Sequence, residues 1–291
     1  MRVLTWITGV SIGMALIGFG GVYALSEMKL RDVTYDAPFE HAIPGDAASI
    51  EHGRYIARTR GCFGCHGQAL EGKDFGEQWD WPARAVAPNL ARYAREHDAA
   101  TIEAAIRQGI GADGKAVVSM PSYNFARLSD ADVATLIAFL RTAPVVESDL
   151  PSPKLGWIPR WDFAMRGEMH YEDWADAVPS LRIDPKTDPA RARGEYLGMT
   201  MCNECHGLDL RGANLYGMPT PDLAIVGAID RDTFERIVRT GRGLGDRHLG
   251  LMTLVAEDRF RLLSDREIDD LYFHLSSLPA EPVPKNVFWR P

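Results

Sequence analysis

The chain has 291 residues, 46% of them hydrophobic and 25% charged, with a net charge of −8. That length leaves room for two ordinary domains beyond any N-terminal segment. The absence of a long basic tract excludes a nucleic-acid partner, and half of the acidic surplus falls in one stretch, residues 145–190.

Val3 to Leu25 is a run of 23 residues without a charge, long enough to cross a bilayer as a helix. A cleaved signal peptide is the competing reading. Its apolar run is shorter and ends in a small-x-small site, which Val22-Tyr23-Ala24 matches poorly. The expectation is a transmembrane anchor over 1–28 that is retained, and a stalk over 29–45. Arg2 precedes the run and Lys29 and Arg31 follow it, so charge does not set its orientation.

All four cysteines fall in two runs, Cys62-Phe63-Gly64-Cys65-His66 and Cys202-Asn203-Glu204-Cys205-His206. Each reads C-x-x-C-H, the attachment pattern of a c-type haem. Two thiols at that spacing reach the two vinyl groups of one porphyrin, and the adjacent histidine offers its imidazole as proximal iron ligand. Cys62, Cys65, Cys202 and Cys205 would then carry two haems, with His66 and His206 beneath the irons. A four-thiolate zinc site is the alternative. It would have to join pairs 140 residues apart and leaves both histidines without a purpose. Disulfides are the remaining alternative.

The segments around the two runs repeat each other. Gly53-Arg54-Tyr55-Ile56 precedes the first and Gly194-Glu195-Tyr196-Leu197 the second. Pro88-Asn89-Leu90 matches Pro221-Asp222-Leu223, and Ile106-Arg107-Gln108-Gly109 matches Val238-Arg239-Thr240-Gly241. Met120 and Met252 each stand eleven residues after those glycines. Both repeats close on Leu-Ser-Asp and an amphipathic run. Ser129 with Asp132, and Ser264 with Glu267, have capping-box spacing. Apolar residues follow at helical period, Val133, Leu136, Ile137, Leu140 and Ile268, Leu271, Tyr272, Leu275, before Pro144 and Pro279. Gly53 and Gly194 would let each closing helix approach the first helix of its repeat.

Each repeat resembles a class I cytochrome c domain: a helix, C-x-x-C-H, a loop, a helix, a methionine loop and a last helix that crosses the first. The resemblance implies an all-α fold. It would consist of tandem class I cytochrome c domains, 46–145 and 191–291, after an N-terminal transmembrane helix. Ser119-Met120-Pro121-Ser122-Tyr123-Asn124-Phe125 is similar to the distal-ligand loop of that family and implies Met120 as sixth ligand. Met252 is its counterpart by the shared offset, although Leu251-Met252-Thr253 lacks the proline and Met199, Met201 and Met218 share its domain. Methionine more often fills a core, and Met199 and Met201, just before Cys202, are read as packing. Arg107 and Arg239 resemble residues that neighbour haem propionates in the family; the bland reading is a solvated arginine near a helix end. Arg236, Arg242 and Arg247 around the second methionine form either a landing patch for an acidic partner or a solvated face. The other histidines are read as surface or core residues, with His248 the one alternative ligand.

The linker 146–190 starts stiffly, with Pro151, Pro153 and Pro159. It holds Trp157, Trp161, Phe163, Tyr171 and Trp174, too many large apolar groups to be left in water. It is expected to pack across both domains.

Thioether ligation keeps small molecules off the iron and raises the reduction potential. The expected function is therefore periplasmic single-electron transfer by a dihaem carrier that is no enzyme itself, since haem attachment in the resembled family takes place outside the cytoplasmic membrane. The alternative is an electron-transfer haem subunit of a membrane-bound alcohol, sugar-acid or aldehyde dehydrogenase, or of a cbb3-type oxidase. The Met-Pro-Ser-Tyr-Asn-Phe loop resembles the dehydrogenase group, many of whose subunits carry three haem motifs rather than two. A dihaem peroxidase is a third reading and needs an open iron. The partner would be such a dehydrogenase or oxidase, or a soluble cytochrome or cupredoxin.

Overall fold

The computed structural model describes residues 2–35, 38–76, 83–166, 171–215 and 218–279. His170, the side chains of Tyr171 and Met218, and residues 280–291 of the expected second domain lie outside the described set. The protein is mainly helical. Helix α1 (Arg2–Arg31) leads into α2 (Ala47–Thr59), α3 (Cys62–His66), α4 (Leu90–Glu96), α5 (Ala99–Glu103) and α6 (Asp130–Thr142). After the linker helices α7 (Trp157–Trp161) and α8 (Tyr171–Ala177) come α9 (Pro189–Met201), α10 (Asn203–His206), α11 (Arg231–Thr240), α12 (Leu251–Asp258) and α13 (Asp265–Leu275). Helix α9 starts two residues before position 191, because Asp188 caps its first turn from the Arg191 amide and Pro189 suits the first helical position.

In each half the first and last helices cross at a glycine. A Cβ on Gly53 would overlap the Thr135 carbonyl of α6, and one on Gly194 the Asp270 carbonyl of α13. The contact buries Ile56, Val133, Leu136 and Ile137 in one core and Leu197, Ile268, Leu271 and Leu275 in the other. Each such side chain contributes about 1.5–3 kcal/mol when fully removed from water.

Strands are short and antiparallel: β1 (Lys73–Asp74), β2 (Ala83–Arg84), β3 (Val86–Ala87), β4 (Lys154–Leu155), β5 (Ala213–Leu215) and β6 (Met218–Thr220). They pair β1 with β3, β2 with β4 and β5 with β6. The β2–β4 pair ties the linker to the first half, with Ala83 opposite Leu155.

The linker divides its aromatics. Phe163 packs with Leu30 of α1 and Ala116 of the first half. Trp174 joins the second half's core and meets Tyr123 of the first edge-on, 5.6 Å between ring centres. Trp157 and Trp161 depart from the expectation and stay 40% and 42% exposed.

Residues 23–30 of α1 dock on the same region. The Ala116 amide donates to the Leu30 carbonyl at 2.8 Å. Glu27 pairs with Lys115 and Arg160, both at 2.9 Å, and the Arg160 guanidinium lies 4.1 Å above the Tyr23 ring. Phe19 of α1 meets Trp157 in a tilted contact, 4.5 Å between ring centres.

Candidate haem-attachment sites

Both C-x-x-C-H runs fold the same way. Helix α2 ends at Thr59 and α9 at Met201, and the motif turns at once into the short helices α3 and α10. Gly67 and Gly207 follow at φ 83° and 87°, then Leu70 and Leu210 at φ 62° and 65°, then Gly72 and Gly212 at φ 89° and 87°. Left-handed backbone at a leucine is strained, and its recurrence at matching positions marks one loop built twice. The Gly72 amide closes on the His66 carbonyl at 2.8 Å, and the Gly212 amide on that of His206 at 2.7 Å.

This loop aims the histidine. His66 Nδ1 lies 2.9 Å from the Pro88 carbonyl oxygen, and His206 Nδ1 lies 2.9 Å from that of Pro221. A carbonyl only accepts, so Nδ1 carries the proton and Nε2 keeps a lone pair for a metal. Burial pushes both imidazoles below their ordinary range, with the proline hydrogen bonds opposing. Both are therefore held neutral, the form that ligates iron. Burial also raises all four thiols, Cys62 to about 11 and Cys202 and Cys205 to about 12. The cysteines remain free and unpaired, and among the described residues no group of three or more His, Cys, Asp or Glu is placed to hold a metal ion. The four-thiolate alternative has no geometry to support it.

In the first half a cavity of about 520 Å³ brings Cys62, Cys65 and His66 together with Met120. Much of the remaining wall is apolar, including Leu90, Ile102, Ile106, Val117, Phe125 and Leu136. The thiols, the free Nε2 and a thioether across an apolar slot fit a covalently held haem. Met120 is held by its loop: the Ser122 hydroxyl donates to the Ala105 carbonyl at 2.8 Å, just after Pro121. The second half replaces that loop with α12, which carries Met252 one residue from its start and against the second core. Thr253 takes the serine's part, its hydroxyl donating to the Gly241 carbonyl at 2.8 Å. Met199 and Met201 are buried in that core, and His248 is exposed.

Arg107 and Arg239 each hold two carboxylates. Arg107 pairs with Glu103 at 2.6 Å and Asp130 at 2.8 Å, Arg239 with Glu235 at 2.6 Å and Asp265 at 2.5 Å. Each also donates to the carbonyl of the leucine that opens Leu-Ser-Asp, Leu128 and Leu263. They tie the start of the closing helix to the helical stretch that carries the arginine. Arg107 is not among the residues that line the first cavity. Arg236 donates to the Gly243 carbonyl and Arg242 faces Asp246.

Sequence reasoning missed how the halves meet. Tyr55 donates to Glu267 at 2.7 Å, and its counterpart Tyr196 donates to Asp132, the counterpart of Glu267. The exchange is reciprocal, as across a two-fold axis. Arg60 sits in the middle, 3% exposed, donating to Thr59 and to its counterpart Thr200. No carboxylate pairs with it among the described residues. The second motif also rests on the first methionine loop, with Asn203 donating to the Tyr123 carbonyl at 3.3 Å and Asn124 to Glu204 at 3.4 Å. Arg259 pairs with Glu204 at 3.2 Å and reaches the wall of the first cavity. The repeated tyrosine was the one available signal; the rest is contact between residues far apart in the chain.

Residues 50–144 match the family described as Cytochrome c, so the chain carries a cytochrome c domain there. Its relatives are larger proteins. It is 28% identical to the "Alcohol dehydrogenase (quinone), cytochrome c subunit" of Gluconobacter oxydans (strain 621H), over 97% of the chain and 62% of the relative. To the "Gluconate 2-dehydrogenase cytochrome c subunit" of Pantoea cypripedii it is 27% identical, over 83% and 62%. The figures for the "Fructose dehydrogenase cytochrome subunit" of Gluconobacter japonicus are 26%, over 80% and 53%. The chain thus spans about three-fifths of the length of the first two.

Proposed function

We propose that the chain is a membrane-anchored dihaem cytochrome c that passes single electrons out of a membrane-bound dehydrogenase, one oxidising an alcohol or sugar-derived substrate. The observation that carries the reading is the duplicated proximal loop, with histidine Nδ1 on a proline carbonyl at 2.9 Å in each half. Cys62 and Cys65 would hold one haem, Cys202 and Cys205 the other, each supplying a one-electron iron couple when bound. His66 and His206 would offer Nε2 from one side. The Met120 and Met252 thioethers would face them and exclude water and small ligands. Arg107 and Arg239 would neighbour the haem propionates while holding the start of the closing helix in place. Helix α1, with one apolar span from Trp6 to Arg31, would cross the cytoplasmic membrane once and leave both halves in the periplasm. The relatives' names support a dehydrogenase as electron donor; a soluble cytochrome or cupredoxin would fit as acceptor.

The test is purification in mild detergent, with haem counted against chain and partners identified. Two covalent haems and a stoichiometric dehydrogenase are expected. One haem or none removes the dihaem reading, a lone dihaem protein makes the chain a free carrier, and copper–haem oxidase subunits reverse the electron flow. Met120→Ala and Met252→Ala should each open one reduced iron to CO. Uptake of CO by the unaltered protein would point instead to a peroxidase-like site.

A further inference from the structure

The linker segment 157–165 presents apolar side chains that neither half covers among the described residues. Ile158 is 65% and Met165 55% exposed, beside the half-exposed indoles of Trp157 and Trp161. Such a patch calls for an occupant, and its attachment to α1 says which one. We infer that this segment lies in the interfacial layer of the bilayer and seats the first half on the membrane surface. The inference rests on the reading of α1 as an anchor.

The depth follows from helix geometry. At 1.5 Å per residue the 23-residue uncharged run is about 34 Å long, enough to fill a hydrocarbon core about 30 Å thick. Centred on Met14, the run puts Phe19 roughly 8 Å above the midplane and Tyr23 roughly 14 Å above it, at the boundary. Tilt only lowers both. The Trp157 ring is tilted 52° against Phe19 with ring centres 4.5 Å apart, so an α1 that spans the bilayer carries this indole just below the boundary. Arg160, one turn further on, lies over Tyr23 and pairs with Glu27 at 2.9 Å, which is headgroup level. Tryptophan just inside the boundary with arginine above it is an arrangement that the interface favours. A protein surface would have to displace lipid from around Phe19 to reach Trp157.

The seating gives the two halves different surroundings. Glu27 and Leu30 of α1 are part of the wall of the first cavity, so this cavity, with Cys62, Cys65 and Met120, faces the membrane. The second motif lies beyond it, held on the Tyr123–Asn124 loop. The first site is therefore the one within reach of a membrane-embedded partner.

The experiment is photo-crosslinking of the full, haem-loaded chain in phosphatidylcholine vesicles that contain a lipid with a diazirine near its glycerol end. Adducts are mapped by peptide mass spectrometry. Adducts in α1 and in 157–165 are expected. Adducts in α1 alone overturn the inference, leave the anchor in place and indicate a protein as the occupant. Their absence from α1 removes the anchor, and the inference with it. A Trp157→Ser/Ile158→Ser variant should lose several-fold of the 157–165 adducts while its α1 adducts and haem spectrum stay unchanged. An undiminished yield would show that labelling there does not depend on the apolar contact, and would also overturn it.

Discussion

The two halves agree at the cysteine–histidine end and part company at the methionine end. His66 and His206, Gly72 and Gly212, Leu70 and Leu210 repeat hydrogen bonds and backbone angles within narrow limits. Met120 sits in a proline-bearing loop, whereas Met252 stands on a helix. Aiming an imidazole takes one tightly specified loop, because a single carbonyl must lie behind Nδ1. Presenting a thioether takes only a segment that closes the slot, and methionine is flexible enough to reach from a loop or a helix. Duplication thus preserves the first end and lets the second drift. The helix starts differ for a similar reason. Glu267 is long enough to bond the Ser264 amide and still receive Tyr55, so its capping box closes. Asp132, a methylene shorter, receives Tyr196 and His52 and leaves the Ser129 amide to the Tyr196 hydroxyl.

The largest effect that would break this symmetry is on haem content. Cys62→Ala/Cys65→Ala and Cys202→Ala/Cys205→Ala should each remove half of the covalent haem, measured as pyridine haemochrome per chain. Loss of all haem from one pair alone would mean that the halves load in a fixed order. Next come the helix crossings. Gly53→Ala and Gly194→Ala both drive a Cβ into a carbonyl, and each should cost about 1–3 kcal/mol in denaturant unfolding, the range for overpacking. A tolerated substitution in one half would show that its crossing can open.

Then come the reciprocal tyrosines. Tyr55→Phe removes a hydrogen bond to a carboxylate, worth about 1.5–3 kcal/mol, and Tyr196→Phe removes its counterpart together with the bond that the Ser129 amide makes to the same hydroxyl. The expected readout is faster proteolysis between the halves, with haem content unchanged. A somewhat larger effect of Tyr196→Phe is expected, since it also frees the Ser129 amide; an effect from one tyrosine alone would show an interface held from one side. The smallest effect is one of pH. Burial lowers the His274 imidazole, with Glu195 opposing, and its Nδ1 has no hydrogen-bond partner among the described residues. The fold holds this side chain neutral, while the unfolded chain takes up a proton below about 6.5. Its contribution is full above that pH and is lost as pH falls toward the lower folded value. His274→Gln should flatten that slope, and an unchanged slope would assign it to another group.

The sequence by itself determined the local chemistry: the attachment motifs, the repeat, the caps and crossing glycines, and the long apolar helix. Each is set by spacing within one stretch of chain, where helical period or thiol separation is enough to read it. Only the tertiary structure decided that Arg107 and Arg239 brace a helix, that Trp157 and Trp161 stay uncovered beside α1, and that Arg60 lies between two halves joined through Tyr55 and Tyr196. Those contacts join residues up to 212 positions apart, and no periodicity in a linear chain encodes which distant carboxylate a tyrosine will meet. They follow from how the two cores pack, which depends on every side chain in both at once.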